Sequence, residues 1–327
     1  MKAIVFSTYG TPEDLELKEV EKPTPRDNEI LVKIHASSIN DWDWALLRGK
    51  PFVNRLAFGL FKPKKLKTLG IDISGTVESM GKNVTKFRVG DEVFGDLSNR
   101  GFGGFAEYVC VEEMGLELKP SKMTFEEAAA IPQAGVLAIQ GLIDKINIRP
   151  GHHVLINGAG GGSGTFAIQL AKHLGATVTG VDKASKFDTM RSLGADHVID
   201  YTTEDFTQNG EVYDLILDFA GHHPLLDYRR ALNKKGKYIL VGGASSLIIN
   251  CLLLGTIISF LGSKKFKILA HEPNKHLSKI NALYEAGILR PIIDRILPLR
   301  QVPQALHYFG EGLCNGKIVI SMVNDAI

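Results

Sequence analysis

Apolar and polar positions follow two regimes along the chain. Up to about residue 120 they read as short strands cut by turns. Residues 30–36 and 107–111 are apolar runs of strand type, and 70–77 and 89–94 carry the glycines of a tightly turned β-domain. At Thr124 the character changes: with Glu127 three residues on, it forms a capping box that opens a helix. From there to about residue 241, helical patterns alternate with apolar strands at 154–156, 177–181, 197–199, 215–217 and 238–241. Such alternation predicts a parallel sheet with helices on both faces. A helix over 276–286 and a closing strand at 317–322 follow. The predicted fold is α/β: a β-domain over 1–123, a doubly wound domain over 124–268, and 269–327 returning to the first.

Residues 154–164 read Val-Leu-Ile-Asn-Gly-Ala-Gly-Gly-Gly-Ser-Gly, an apolar strand running straight into a glycine cluster. Phe166, Ala167, Leu170, Ala171 and Leu174 then recur at helical spacing. A strand, a tight glycine turn and a helix N-terminus form an anion cradle, because backbone N–H groups point out of the helix start and absent side chains let a pyrophosphate approach. Asp182 follows at the end of the next strand, 176–181, at the distance where an acid meets the adenosine ribose. The pattern predicts a nicotinamide-type dinucleotide. The plainer alternative is a glycine turn that lets a helix pack on a strand.

Composition narrows the class. The chain has 327 residues, 44% hydrophobic and 23% charged, in the range of soluble globular proteins and long enough for two domains. A formal charge of +2 gives no reason to expect a nucleic-acid partner. Three widely spaced cysteines (Cys110, Cys251 and Cys314) form no disulfide framework, and the N-terminus has no apolar stretch long enough for a signal peptide, so the expectation is cytoplasmic. One segment stands apart. Residues 247–261 are apolar except for Asn250, Thr256 and Ser259, with a glycine at 255 inside, and Lys264, Lys265 and Lys267 follow. It is short of the roughly 20 residues that span a bilayer. The expected reading is a buried or subunit-interface segment, with contact to an anionic membrane surface as the alternative.

The order of several blocks resembles the medium-chain dehydrogenase/reductase superfamily, and within it the zinc-free quinone oxidoreductase-like branch. The blocks are Gly70-x-Asp72-x-x-Gly75-x-Val77, Gly90-Asp91-x-Val93, Gly104-Phe-Ala-Glu-Tyr-Val109, Ala129-Ala-Ile-Pro132, the glycine cluster of 158–164, Leu193-Gly-Ala-Asp196, Val198-Ile-Asp-Tyr201 and Gly316-Lys-Ile-Val-Ile320. The resemblance implies a GroES-like catalytic domain around a Rossmann domain, a cleft between them and a homodimer. It assigns the cofactor to Ala159, Gly160, Gly161, Gly162, Ser163 and Gly164, to Asp182, Lys183 and Lys186, to Tyr201 beside the adenine, to Ala220, to Val241, Gly242 and Gly243 beneath the nicotinamide, and to Lys317. It places Asn40 and Asp43 at the nicotinamide end, Asn40 as an orienter of a carboxamide or substrate carbonyl and Asp43 as a structural support. A capped turn before the helix at 42–47 is the plainer reading of both.

Departures from the zinc alcohol dehydrogenases of that superfamily are equally informative. Asn40 stands where a cysteine ligand would be, Gly70-Ile71-Asp72 where a Gly-His-Glu would be, and the four-cysteine zinc lobe is missing. Zinc takes converging Cys and His ligands, so no metal is expected. Without a Lewis acid an unactivated alcohol is a poor substrate, whereas quinones and α,β-unsaturated carbonyls accept hydride directly. The expectation is therefore an NAD(P)H-dependent quinone or enone reductase. The alternatives are a zinc-independent alcohol dehydrogenase on an activated alcohol, and a cofactor-binding protein with a non-catalytic or membrane-associated role. Asp182 favours NADH, since it accepts from a ribose hydroxyl and repels a 2′-phosphate. Lys183, Ser185, Lys186 and the branch as a whole favour NADPH, the preferred reading. Trp42, Trp44, Phe52, Phe58 and Phe61 are candidates for an aromatic substrate region, and Arg55, Lys62, Lys64, Lys65 and Lys67 for a solvated loop or for steering acidic substrates. His222 and His223 are read as solvated or at the edge of the cofactor pocket.

Overall fold

A computed structural model describes residues 1–64, 67–146 and 148–322, so Lys65 and the end of the segment expected over 269–327 lie outside the described residues. The chain divides into two compact units. One comprises Met1–Gln133, Pro273–Glu285 and Pro291–Ile327, and the other Ala134–Glu272 and Ala286–Arg290. The first unit thus runs ten residues past the expected boundary at 123. The capping box is present, with Glu127 N–H donating to Thr124 Oγ1 at 3.1 Å and Thr124 N–H to Glu127 Oε2 at 3.0 Å. However, the helix it opens, Phe125–Ala129, packs on the first unit's own sheet. There Phe125 stacks on His35 at 4.2 Å and its carbonyl accepts from Ser74 Oγ.

The first unit is built on a mixed sheet. Its central strand, Glu29–Ser38, lies between Asp72–Met80 and Lys317–Ser321 and also pairs with Tyr108–Glu112. Alternating apolar positions bury Ile30, Val32, Ile34, Ile73, Val77 and Val93 in one core. A second core gathers Ile4, Phe6, Leu46, Leu47, Phe105, Leu306 and Ile318.

The second unit is a six-stranded sheet, here labelled β1 (His153–Asn157), β2 (Thr177–Asp182), β3 (His197–Asp200), β4 (Tyr213–Asp218), β5 (Leu232–Leu240) and β6 (Lys265–Ile268). The spatial order is β3-β2-β1-β4-β5-β6, every pair parallel. This is the doubly wound dinucleotide-binding order, whose direction reverses between β1 and β4. Both faces are covered, which is why Val154, Leu155, Ile156, Leu215, Ile216 and Leu217 are buried without alternation.

The apolar segment at 247–261 departs from expectation. It belongs to a helical stretch over 245–261, interrupted by one π-helical turn at Cys251–Gly255. Leu247, Cys251 and Gly255 face the core, and Gly255 comes so close to Phe266 that a Cβ there would lie 3.1 Å from it. The other face is open: Ile249, Leu252, Leu253, Leu254, Ile257, Phe260 and Leu261 are all exposed. The segment is therefore not buried; only one of its faces is. Among the described residues no helix is long and apolar enough to cross a membrane.

Candidate cofactor and active site

In the second unit β1 leads through Gly158, Ala159 and Gly160 into the helix Gly162–His173, with Gly161 as its N-cap. Thr165 N–H donates to the Gly161 carbonyl at 3.0 Å, the first helical bond. The N–H groups of Gly162, Ser163 and Gly164 therefore have no helical acceptor and point out of the first turn, where the helix dipole is positive. The glycines differ in what they do. A Cβ at Gly164 would lie 2.2 Å from the Gly158 carbonyl oxygen and 2.6 Å from Ala159 Cα, so this glycine seats the helix against its own turn. A Cβ at Gly161 would meet nothing closer than 3.4 Å. The fold therefore does not need Gly161 to be bare.

Asp182, at the end of β2, is buried. Its Oδ2 accepts from Gly160 N–H at 2.9 Å, its Oδ1 accepts from Lys183 N–H at 2.8 Å, and Lys186 Nζ lies 3.1 Å from Oδ1. The acid thus clamps the glycine turn to β2, and its charge is neutralised by an almost equally buried Lys186. The loops after β4 and β5 close the same edge of the sheet. Val241 and Gly242 N–H both donate to the Asp218 carbonyl, and Gly221 N–H donates to Gly242. A Cβ at Gly243 would meet Gly221 backbone at 2.3 Å. Ala220 is exposed on this edge, and its carbonyl accepts from His222 Nδ1 at 3.1 Å. Tyr201 is 42% exposed and meets the His222 ring edge-on.

Asp218 and Asn157, which the sequence reading did not single out, fasten this edge. Asn157 Nδ2 donates to Asp218 Oδ1 and Tyr238 Oη to Asp218 Oδ2, each at 2.8 Å. Burial raises the Asp218 pKa, opposed by those hydrogen bonds and one from Tyr228. The signal was available, as a polar residue closing each of two apolar strands.

In the first unit, sheet register brings together residues far apart in sequence. Asp72 sits opposite both Ser38 and Asp96. Its Oδ2 accepts from Asn40 Nδ2 at 3.1 Å and Ser38 Oγ at 3.3 Å, and its Oδ1 from Gln133 N–H at 3.1 Å. Lys317 Nζ, equally buried, lies 3.6 Å from Asp72 Oδ2 and donates to the Ile39 carbonyl at 3.0 Å and to Asn40 Oδ1. Asp43 accepts from Asn40 N–H at 3.0 Å and Gly70 N–H at 2.8 Å. Burial pushes Asp43 up to about 7 and Asp96 up to about 6. It raises Asp72 too, with Lys317 pulling the other way.

Residues 26–121 match the family described as alcohol dehydrogenase GroES-like domain, and 193–320 the one described as zinc-binding dehydrogenase. The 2-methylene-furan-3-one reductase of Solanum lycopersicum is 34% identical over 98% of this chain and 79% of its own length. The chain belongs to the medium-chain dehydrogenase/reductase superfamily. Within it the likeness is to the quinone oxidoreductase-like branch. A chloroplastic quinone oxidoreductase of Triphysaria versicolor is 30% identical over 98% of each chain. The solved quinone oxidoreductase from Coxiella burnetii, also 30% identical, superposes with a TM-score of 0.87 over 98% of this chain and 99% of its own.

For this member of the superfamily the buried cluster bears on the metal that the second family's description implies. The donors at the corresponding positions are one amide and one carboxylate, and the Lys317 ammonium already serves as the cation against Asp72. That set does not fit zinc. Among the described residues, no three His, Cys, Asp or Glu side chains are placed to hold a metal ion.

Lys317, assigned to the cofactor by the resemblance, belongs to the first unit, where it is the buried counter-ion of Asp72 because its strand pairs beside Ser38. Asn40 spends both amide protons on Ser38 O and Asp72 and its carbonyl oxygen on Lys317. It organises this cluster rather than presenting a free amide. Asp43, at the third position of the helix Asp41–Leu47, ties the start of that helix to Gly70 through its two backbone hydrogen bonds. Among the aromatic candidates, Trp44 and Phe58 pack on the core, while Trp42, Phe52 and Phe61 are exposed. Arg55 is held by the Gly49 carbonyl and the Tyr9 ring rather than free to steer a substrate. Lys62, Lys64 and Lys67 line a recess of about 670 Å³ with Lys22 and the first strand.

Proposed function

We propose that this chain is an NAD(P)H-dependent reductase of quinones or α,β-unsaturated carbonyls that works without zinc. The observation that carries the reading is the glycine turn clamped by Asp182 at the reversal point of a 3-2-1-4-5-6 sheet, with three outward N–H groups at a helix start. Those groups would bind the pyrophosphate, and Tyr201 would flank the adenine. The backbone of Val241, Gly242 and Gly243, held to Asp218 and Gly221, would form the floor beneath the nicotinamide ring. A reduced nicotinamide, when bound, supplies a hydride to the β-carbon of an enone or to a quinone. The chain's own task is to orient the ring and exclude water. Hydride and one proton from water together convert an enone to the saturated ketone. With the Lys317 ammonium in place of a metal cation, activated carbonyls are the fitting substrate class.

NADPH is the proposed cofactor. Lys186 cancels the Asp182 charge that would repel a 2′-phosphate, and Lys183 and the exposed Ser185 remain at that corner to bind it. The homodimer implied by the family resemblance and a reducing, cytoplasmic setting that suits three free cysteines belong to the same proposal. The test is oxidation of NADPH and NADH by metal-free protein against benzoquinone, phenanthrenequinone and short alkenals. Turnover preferring NADPH is expected. Stoichiometric cofactor binding without turnover on any of them would sink the reductase reading, and a dependence on added zinc would sink the metal-free one.

A further inference from the structure

The open face of the 245–261 helical stretch is a feature that the reductase reading leaves unused. Its rise of 1.5 Å per residue gives a length of about 25 Å. Seven large apolar side chains lie exposed along it, most of all Phe260 at 87% and Leu261 at 78%. A contiguous apolar face of this kind on a folded protein marks a contact surface.

Charge identifies what it meets. Between residues 228 and 271 there are eight lysines and arginines and no aspartate or glutamate, while the rest of the chain has more acidic than basic side chains. The fold collects five of these cations at the Phe260–Leu261 end. Ser263 Oγ donates to the Lys234 carbonyl, drawing the Lys234–Lys235 turn against the helix end. Lys264 Nζ donates to the Arg229 and Leu232 carbonyls, each at 2.7 Å, and Lys265 Nζ to the Ser259 and Gly262 carbonyls. Arg229, Lys234 and Lys235 are exposed. A second copy seated face to face presents the same stretch of chain, 228–271, which has no aspartate or glutamate to pair with these cations. A surface that is negative at its boundary and apolar beneath complements both properties at once.

We infer that this helical face docks the protein in the plane of an anionic phospholipid bilayer. The exposed apolar side chains between Ile249 and Leu261 enter the headgroup–acyl boundary while Arg229, Lys234 and Lys235 meet lipid phosphates. The association is peripheral. The opposite side of the stretch, through Leu247, Cys251 and Gly255, keeps the helix fastened to its own sheet.

The test is co-sedimentation of the full chain with vesicles of phosphatidylcholine alone and of phosphatidylcholine mixed with phosphatidylglycerol. Light scattering supplies the oligomeric state, and circular dichroism checks the fold of each variant. Binding to the anionic vesicles only, weakened by salt, is expected. The double variant Leu253→Glu/Phe260→Glu should abolish it, and Lys234→Glu/Lys235→Glu should lower partitioning roughly tenfold or more. Both variants alter exposed side chains and should keep the wild-type circular dichroism. Absence of sedimentation with either vesicle would overturn the inference, as would binding indifferent to both variants. If the protein ignored vesicles and Leu253→Glu/Phe260→Glu halved its mass in solution, the face would belong to a second copy instead.

Discussion

Lys317 is the single side chain on which most of the first unit's buried polar chemistry turns. Removing one partner of a buried ion pair leaves an uncompensated charge, at a cost of about 3–5 kcal/mol. Lys317→Met should therefore lower stability by about that amount in denaturant unfolding. Part of the loss should return on acidification, because Asp72 can then be neutralised by a proton. Asp43 gives a second pH dependence. Its folded pKa of about 7 lies above the ordinary carboxylate value, so the folded state holds the proton more tightly than the unfolded one. Its contribution is complete below about pH 4 and lost as pH rises through about 7. Asp196, Asp200, Asp205 and Asp214, whose pKa values are lowered, oppose this only in the acid range. Melting temperature should therefore fall between about pH 5 and about pH 7.5. Asp43→Asn should flatten part of that slope, and an unchanged slope would show that another group carries it.

At the scale of elements, two glycines in one turn should give different phenotypes. Gly161→Val should leave the second unit folded and weaken cofactor binding by at least about tenfold, read by fluorescence titration. Gly164→Val should unfold that unit, because its side chain has only backbone to meet. Equal affinity for the Gly161→Val variant and wild type would remove the pyrophosphate from this turn. Asp182→Ser should weaken both cofactors, since Gly160 N–H loses its acceptor, and shift the remaining preference further toward NADPH. The strand–turn–helix unit was legible because its signals are local: an apolar run, a glycine cluster and a capping position. Residues that act across the sheet were not. Asn157 with Asp218, and Asn40 with Asp72 and Lys317, are joined only by strand order and register. Spacing along the chain does not encode that. The outer face of the helical stretch was misjudged for a related reason. Leu253 and Leu254 look as apolar as Leu247, and only the packing of Gly255 on Phe266 decides which side is covered.

For the whole molecule, the division into two units was foreseen from the change of pattern near residue 124. The break itself fell later, because the short helix Phe125–Ala129 is drawn onto the first sheet by Ser74 and His35. A cofactor present at a hundredfold excess over its Kd should stabilise the protein by about 2.7 kcal/mol, seen as a concentration-dependent melting temperature. No shift with either NADPH or NADH would argue against the second unit as the cofactor site. The partnership of Lys317 with Asn40 and Asp72 carries a consequence for synthesis. The second unit is built almost wholly from one stretch of chain, Ala134–Glu272, and can form as soon as the ribosome has released it. The first unit has to wait. Until its closing strand is translated, Asp72 has no cation and the strand Glu29–Ser38 lacks one neighbour, so an early-made segment is held unfinished while a later one matures.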